Sequence, residues 1–329
     1  MENRVYPTPE AEIPVKHVML LPMRTLSPCL ALAAVALWPG ALLAQQTAAV
    51  DPQSLMTTPV YLFNGANEIS QGTGFFYANM KPSQPGKAPE VETLFLVTNY
   101  HVVTGHAPGL KTARSGDRIR FAFHADPNDL ENIRIWELPL YDFRDDPVWA
   151  QSESFAEADV VLVPIPARMY AQLTAFYVFT EAHTRTDLKI RPTSGATLLG
   201  YPYGFYDKKH LLPIWKTGHI ASEPDVDFEG EPTFLVDVSA FPGMSGSPVL
   251  AAGNGIYESE EGVMRSGRVT KLLGVFSSMP VVHRSQSTSI NTSADRAAPA
   301  DISLQLGYVW KASLIADIAR HYQDQAKLP

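Results

Sequence analysis

Three short segments carry residues whose types and spacing could do chemistry. In FPGMSGSPV (residues 241–249), Ser245 lies between two glycines. Such a turn lets backbone approach a ligand closely and lets the N–H groups of Gly243 and Ser245 aim at a developing oxyanion. In LFLVTNYHVV (residues 94–103) an apolar run ends at His101, and in EADVVLVPI (residues 157–165) Asp159 opens another. Taken singly, each has a plainer reading: a turn, a satisfied core histidine and a cap. A serine hydroxyl, however, is a poor nucleophile near neutral pH and needs an imidazole to take its proton. That imidazole needs a carboxylate to fix its tautomer and stabilise its charged form. The three segments supply one of each.

The elements that must position these groups read as strands. Apolar or alternating runs, bounded by Gly, Pro, Asn and Asp, start at Thr58, Thr73, Glu92, Arg118, Ile133, Ala158, Ala196, Pro213, Thr233, Ser247, Val269 and Ser303. Short strands at this density predict an all-β sandwich or a pair of barrels. One helix is expected over residues 311–326, where Leu314, Ile315, Ile318, Ala319 and Tyr322 follow helical spacing. Residues 280–300, rich in Ser, Thr, Ala and Pro, read as an extended surface loop.

Composition narrows the function classes. The chain has 329 residues, 45% of them apolar, which excludes low-hydrophobicity disorder. Its 27 prolines disfavour a mostly helical protein, and its single cysteine excludes a disulfide scaffold. A net charge of −8 with no Lys/Arg run argues against nucleic-acid binding. The histidines form no metal-binding motif, and Glu258, Glu260 and Glu261 read as a solvated acidic hairpin rather than a calcium site. Residues 1–44 are expected to lie outside the fold. Arg24, the uncharged apolar run from Leu26 to Ala44, the break at Pro39-Gly40 and the small residue Ala44 form a secretory leader. Cleavage is expected after Ala44, giving an exported chain with no stable membrane span and no cysteine. Met23 would make a better leader start than Met1.

G-T-G-F at 72–75, T-N-Y-H-V-V, A-D-V-V-L, G-Y-P-Y-G at 200–204 and G-M-S-G-S-P-V together resemble the chymotrypsin/trypsin-like serine protease superfamily, on its bacterial trypsin-like branch. The chain order His, Asp, Ser is the one used there. The resemblance covers about residues 55–322. It implies two six-stranded antiparallel barrels, about residues 55–180 and 190–310, with the active site between them and the helix 311–326 behind. Residue by residue it implies His101 as general base and acid, Asp159 as its orienting carboxylate and Ser245 as nucleophile. The N–H groups of Gly243 and Ser245 would form the oxyanion hole, and Ser277 would support Asp159 and pair with substrate backbone. Met244 replaces the aspartate that captures a new N-terminus in zymogen-activated relatives, so the oxyanion loop should be held by packing. No peptide-binding module follows, which implies a one-domain enzyme.

Specificity rests on Ser239, six residues before the nucleophile, where Lys/Arg-specific relatives carry an aspartate. Phe276 stands where glutamate-specific relatives place a histidine, and Met279 lies near the pocket wall. The expectation is cleavage of polypeptides after small or medium apolar residues, without a cofactor. The competing readings are a non-catalytic binding or scaffold protein of the same fold, or an esterase.

Overall fold

A computed structural model describes residues 50–82, 89–110, 114–171, 173, 175–282 and 302–326. The leader-like segment and most of the loop expected at 280–300 lie outside the described residues. Six strands form the first sheet: β1 (Thr57–Asn64), β2 (Asn67–Met80), β3 (Val91–Thr98), β4 (Arg118–His124), β5 (Ile133–Pro139) and β6 (Val161–Ile165). They are antiparallel, in the order β5-β4-β1-β2-β3-β6. The open side between β5 and β6 is bridged by residues 140–150. Val148 N–H donates there to the Leu140 carbonyl, and Ala150 and Leu162 exchange both backbone bonds.

The second unit starts with β7 (Gly195–Gly200), β8 (Ile214–Ile220), β9 (Thr233–Asp237), β10 (Pro248–Glu258) and β11 (Met264–Phe276). A two-residue pair, β12 (Val281–Val282) and β13 (Ile302–Ser303), precedes β14 (Leu306–Lys311). Six of these close into a barrel, β10-β11-β14-β9-β8-β7. Every run expected to be a strand is one, and the helix Ala312–Ala326 follows β14 directly.

Burial explains which strands are central. The end of β3 and nearly all of β6 are buried on both faces, as their unbroken apolar runs require, whereas β5 at the sheet edge is mostly accessible. One apolar core joins the two units. Phe75, Phe95 and Leu162 of the first sheet belong to it, with Leu250, Leu272 and Trp310 of the barrel and Leu314, Ile315 and Ile318 of the helix. A second core fills the barrel itself around Val236, Met244, Val249 and Phe276. The acidic hairpin is charge-paired: Glu258 with Lys189 and Arg191, Glu260 with Lys271, and Glu261 with Arg265. Among the described residues no cluster of His, Cys, Asp or Glu could hold a metal.

His183 sits buried between the units, and its Nδ1 accepts the Thr180 N–H at 3.0 Å, so the ring must be neutral. Burial lowers its pKa to about 4, against the weaker opposing effect of the Thr180 bond. Because the folded-state value is depressed, the stability this group protects is complete above about pH 6.5 and is lost as pH falls toward 4. We expect a loss of about 3 kcal/mol across that window. Urea unfolding at a series of pH values should show it, and His183→Gln, which keeps an acceptor but cannot protonate, should flatten the curve.

Candidate active site

His101 is set by the end of β3. After Thr98 the chain makes a one-turn helix, Tyr100–Thr104, closed by Gly105 at φ 76°. Asn99 before it is fully buried, and its Nδ2 donates to the Asp159 carbonyl at 2.6 Å. That bond joins the His-bearing turn to the residue entering β6. The Asp159 carboxylate lies in the angle between them and accepts three bonds. Its Oδ1 takes the His101 backbone N–H at 3.0 Å. Its Oδ2 takes His101 Nδ1 at 2.7 Å and Ser277 Oγ at 2.5 Å. A carboxylate on Nδ1 fixes the imidazole so that Nε2 is the free acceptor. The Asp159 side chain is 10% exposed and the His101 ring 33%, so the pair is shielded on one side and reachable on the other.

The loop bearing Ser245 joins β9 to β10 inside the interface between the two units. Gly243 has φ 95°, and a Cβ there would lie 2.5 Å from the Tyr201 carbonyl. Gly246 has φ 88°, and its Cβ would meet the Thr73 carbonyl at 2.0 Å. No side chain fits at either position, which is why the serine is flanked by glycines. Thr73, on β2 and fully buried, uses every polar group it has, two of them on this loop. Its N–H donates to the Ser245 carbonyl at 2.8 Å and its hydroxyl to the Gly243 carbonyl at 2.7 Å. Its Oγ1 accepts the Tyr201 N–H at 3.2 Å, and its carbonyl accepts Thr98 Oγ1 at 2.7 Å. Met244 is fully buried in the barrel core, so packing anchors the loop as expected.

Among the described residues, the N–H groups of Gly243 and Ser245 donate to no protein acceptor, while the neighbouring Met244, Gly246 and Ser247 amides all do. Two free donors beside one hydroxyl can receive an oxyanion formed by attack on a carbonyl. The Ser245 hydroxyl donates to the Ser277 carbonyl at 3.0 Å. Ser277 thus touches both ends of the arrangement, its side chain on Asp159 and its backbone on Ser245.

Of the residues singled out in the sequence, His101, Asp159, Ser245, Gly243 and Ser277 come together. Ser239 does not lie in a buried pocket: it is exposed on the segment after β9. Met279 is half-buried and packs on the barrel core, and the Phe276 ring occupies the space beside Gly307, where a Cβ would come within 2.4 Å of it. Sequence reasoning assigned no role to Thr73, Thr98 or Asn99. The signal for Thr73 was its place in G-T-G-F, but a hydroxyl between glycines does not reveal which distant loop it binds.

The family description "trypsin-like peptidase domain" matches residues 72–256, more than half of the chain. No curated protein sequence matches it. Solved structures with a similar fold include a serine endoprotease from Yersinia pestis, 14% identical with a TM-score of 0.41. That match covers 84% of this chain and 65% of the Yersinia chain, so the chain spans just under two thirds of that relative's length. A protease of M. tuberculosis in its active form is 15% identical, with a TM-score of 0.39 and coverage of 90% and 93%. A thermostable serine protease from an extremophilic microorganism is 12% identical, with a TM-score of 0.42 and coverage of 83% and 99%.

Thr73→Val should leave the Gly243 carbonyl and the Tyr201 N–H unpaired and cost about 1–3 kcal/mol in chemical denaturation. Amide hydrogen exchange at Met244 and Ser247 should quicken, since the loop loses its tie to β2. Thr73→Ser, which keeps the hydroxyl, should restore both.

Proposed function

Because the chain belongs to the trypsin-like peptidase family and is a serine-type hydrolase of that class, we propose that it is an exported endopeptidase acting through His101, Asp159 and Ser245. One observation carries the reading. A shielded carboxylate binds the Nδ1 of an accessible histidine, and the serine that completes its shell, Ser277, holds the Ser245 hydroxyl by its carbonyl.

Catalysis begins with rotation of the Ser245 side chain. Its hydroxyl leaves the Ser277 carbonyl and turns to His101 Nε2, a change of rotamer that costs little and that substrate binding can drive. Nε2 takes the proton as Oγ attacks the scissile carbonyl, and Asp159 stabilises the imidazolium without itself becoming protonated. The Gly243 and Ser245 amides receive the negative charge on the carbonyl oxygen. They are already oriented by the positive φ of Gly243 and by Thr73, so little reorganisation accompanies the reaction. His101 then gives its proton to the leaving amine, and water attacks the acyl-enzyme by the same route in reverse.

We further propose cleavage after small or medium apolar residues. Met279, half-buried against the barrel core two residues after Ser277, offers an apolar surface, and Ser239, exposed after β9, gives no buried carboxylate to a basic side chain. Export follows from the leader-type residues 26–44. No helix among the described residues is long and apolar enough to cross a membrane.

A fluorophosphonate probe should label the purified mature protein at Ser245 and fail to label Ser245→Ala. Substituting Ser245 or His101 by Ala should lower kcat by about 10⁴-fold or more with the fold intact. A folded wild type that resists the probe would sink the catalytic reading in favour of a binding protein. A peptide library would then reveal the preferred residue, and ester cleavage without peptide cleavage would assign it as an esterase. Sequencing the N-terminus of exported protein should begin at Gln45.

A further inference from the structure

Past His101, the cleft between the first sheet and the barrel opens into a cavity of about 370 Å³, bounded on one side by His101 and Asp159 and extending well beyond them. Three aromatic side chains line it. The rings of Phe228 and Tyr308 meet edge to face at 6.1 Å, and Trp310 lies beside them. Glu229 and Glu231, from the connection between β8 and β9, stand at its rim, and no Lys or Arg among the described residues lines it. Neither carboxylate has a cationic partner among the described residues. Asp227, just before them, is paired with Lys311 at 2.6 Å. The cavity also includes His101, Ser277 and Ser278, so whatever fills it lies alongside a chain bound at Ser245.

We infer that this cavity takes a Lys or Arg side chain of the polypeptide substrate, a few residues from the scissile bond. The inference rests on the peptidase reading above and names what that site selects. Both side chains have a long apolar stem and a cationic head. The rings fit the stem and attract the cation through their faces and the Tyr308 hydroxyl edge, while the two carboxylates lie where the head emerges. An acidic side chain would be repelled, and a purely apolar one would leave the carboxylates unused. The chain's net charge of −8 favours the approach of such substrates. Selection would therefore be split in two: an uncharged residue at the scissile bond, and a basic residue in the cavity beyond His101.

Binding measured without turnover tests this. Ser245→Ala protein would be titrated with short fluorescein-labelled peptides, each carrying one Arg at a successive position around a central apolar residue. The reference peptides carry norleucine at the same positions. By fluorescence anisotropy, one Arg register should bind about tenfold tighter than its norleucine counterpart, with the gain shrinking as salt is added. Adding Glu229→Gln and Glu231→Gln together should abolish the gain, and Glu231→Lys should turn it into a preference for Glu. Equal affinity for Arg and norleucine at every position would overturn the inference, as would a preference that survives the double Gln substitution. Fluorophosphonate labelling of the wild type reports separately on catalysis. Labelling without an Arg preference overturns the cavity assignment alone. An Arg preference without labelling supports the cavity and overturns the catalytic reading.

Discussion

The contact between the Thr73 amide and the Ser245 carbonyl, 2.8 Å long, is the constraint on which the rest of the site depends. It joins β2 of the first sheet to a loop of the barrel, and it forms only if backbone meets backbone with nothing between. That condition explains Gly246, whose missing side chain leaves room for the Thr73 carbonyl. It also explains Gly243, which bends the loop so that its own carbonyl reaches the Thr73 hydroxyl and leaves its N–H free. A single threonine therefore fixes the backbone on both sides of the Ser245 hydroxyl. Neutral hydrogen bonds and the buried Met244 side chain hold this loop, so no charge has to be desolvated to fix it.

A second set of contacts crosses the same interface in the other direction. Asp159 stands at the entrance to β6, yet one of its three donors, Ser277, follows β11 of the barrel. Burying a carboxylate is costly unless its lone pairs are satisfied. Here the His101 amide, the imidazole and the Ser277 hydroxyl satisfy them together. Relative movement of the two units would break the Ser277 bond first and leave a poorly solvated charge, so the carboxylate resists exactly the shear that would misalign Ser245 and His101. The alignment of Ser245 with His101 and the stability of the interface are in this sense one property.

Much of this was legible in the sequence, and the limits follow a physical rule. Strands such as β3 and β6 announce themselves by unbroken apolar runs, because their period and their punctuation are local. The His, Asp and Ser carriers were legible because each sits at a recognisable strand end or between glycines. What could not be read was register between distant segments. Thr73 and Gly243 are 170 residues apart, and their bond depends on how two units dock, which no local pattern encodes. Ser239 is the reverse case: its distance from the nucleophile suggested a pocket floor, but the segment after β9 leaves it exposed, because Val238 and Ala240 on either side take the inward positions in the barrel core. The rotamer of Ser245, turned to the Ser277 carbonyl, likewise depends on an acceptor that only the folded chain provides.

Among the described residues no cysteine is present to staple the two units, so the interface must be closed by packing. The C-terminal helix is the element placed to do it. It leaves the barrel directly from β14 and lies against the first sheet. Asn79 of β2 donates to the Ala319 carbonyl at 2.9 Å, and Tyr322 meets the Phe95 ring of β3 edge-on at 5.3 Å. Leu314, Ile315 and Ile318 complete the core shared with the barrel. β2 and β3 are the strands that carry Thr73 and lead into His101. The helix thus grips, on one side, the two strands that position His101 and the loop of Ser245 and, on the other, the barrel that carries Ser245. Loss of its grip would cost the alignment of the site before it cost either sheet its hydrogen bonds. The helix after β14 therefore sets how the loop bearing Ser245 lies against the turn bearing His101.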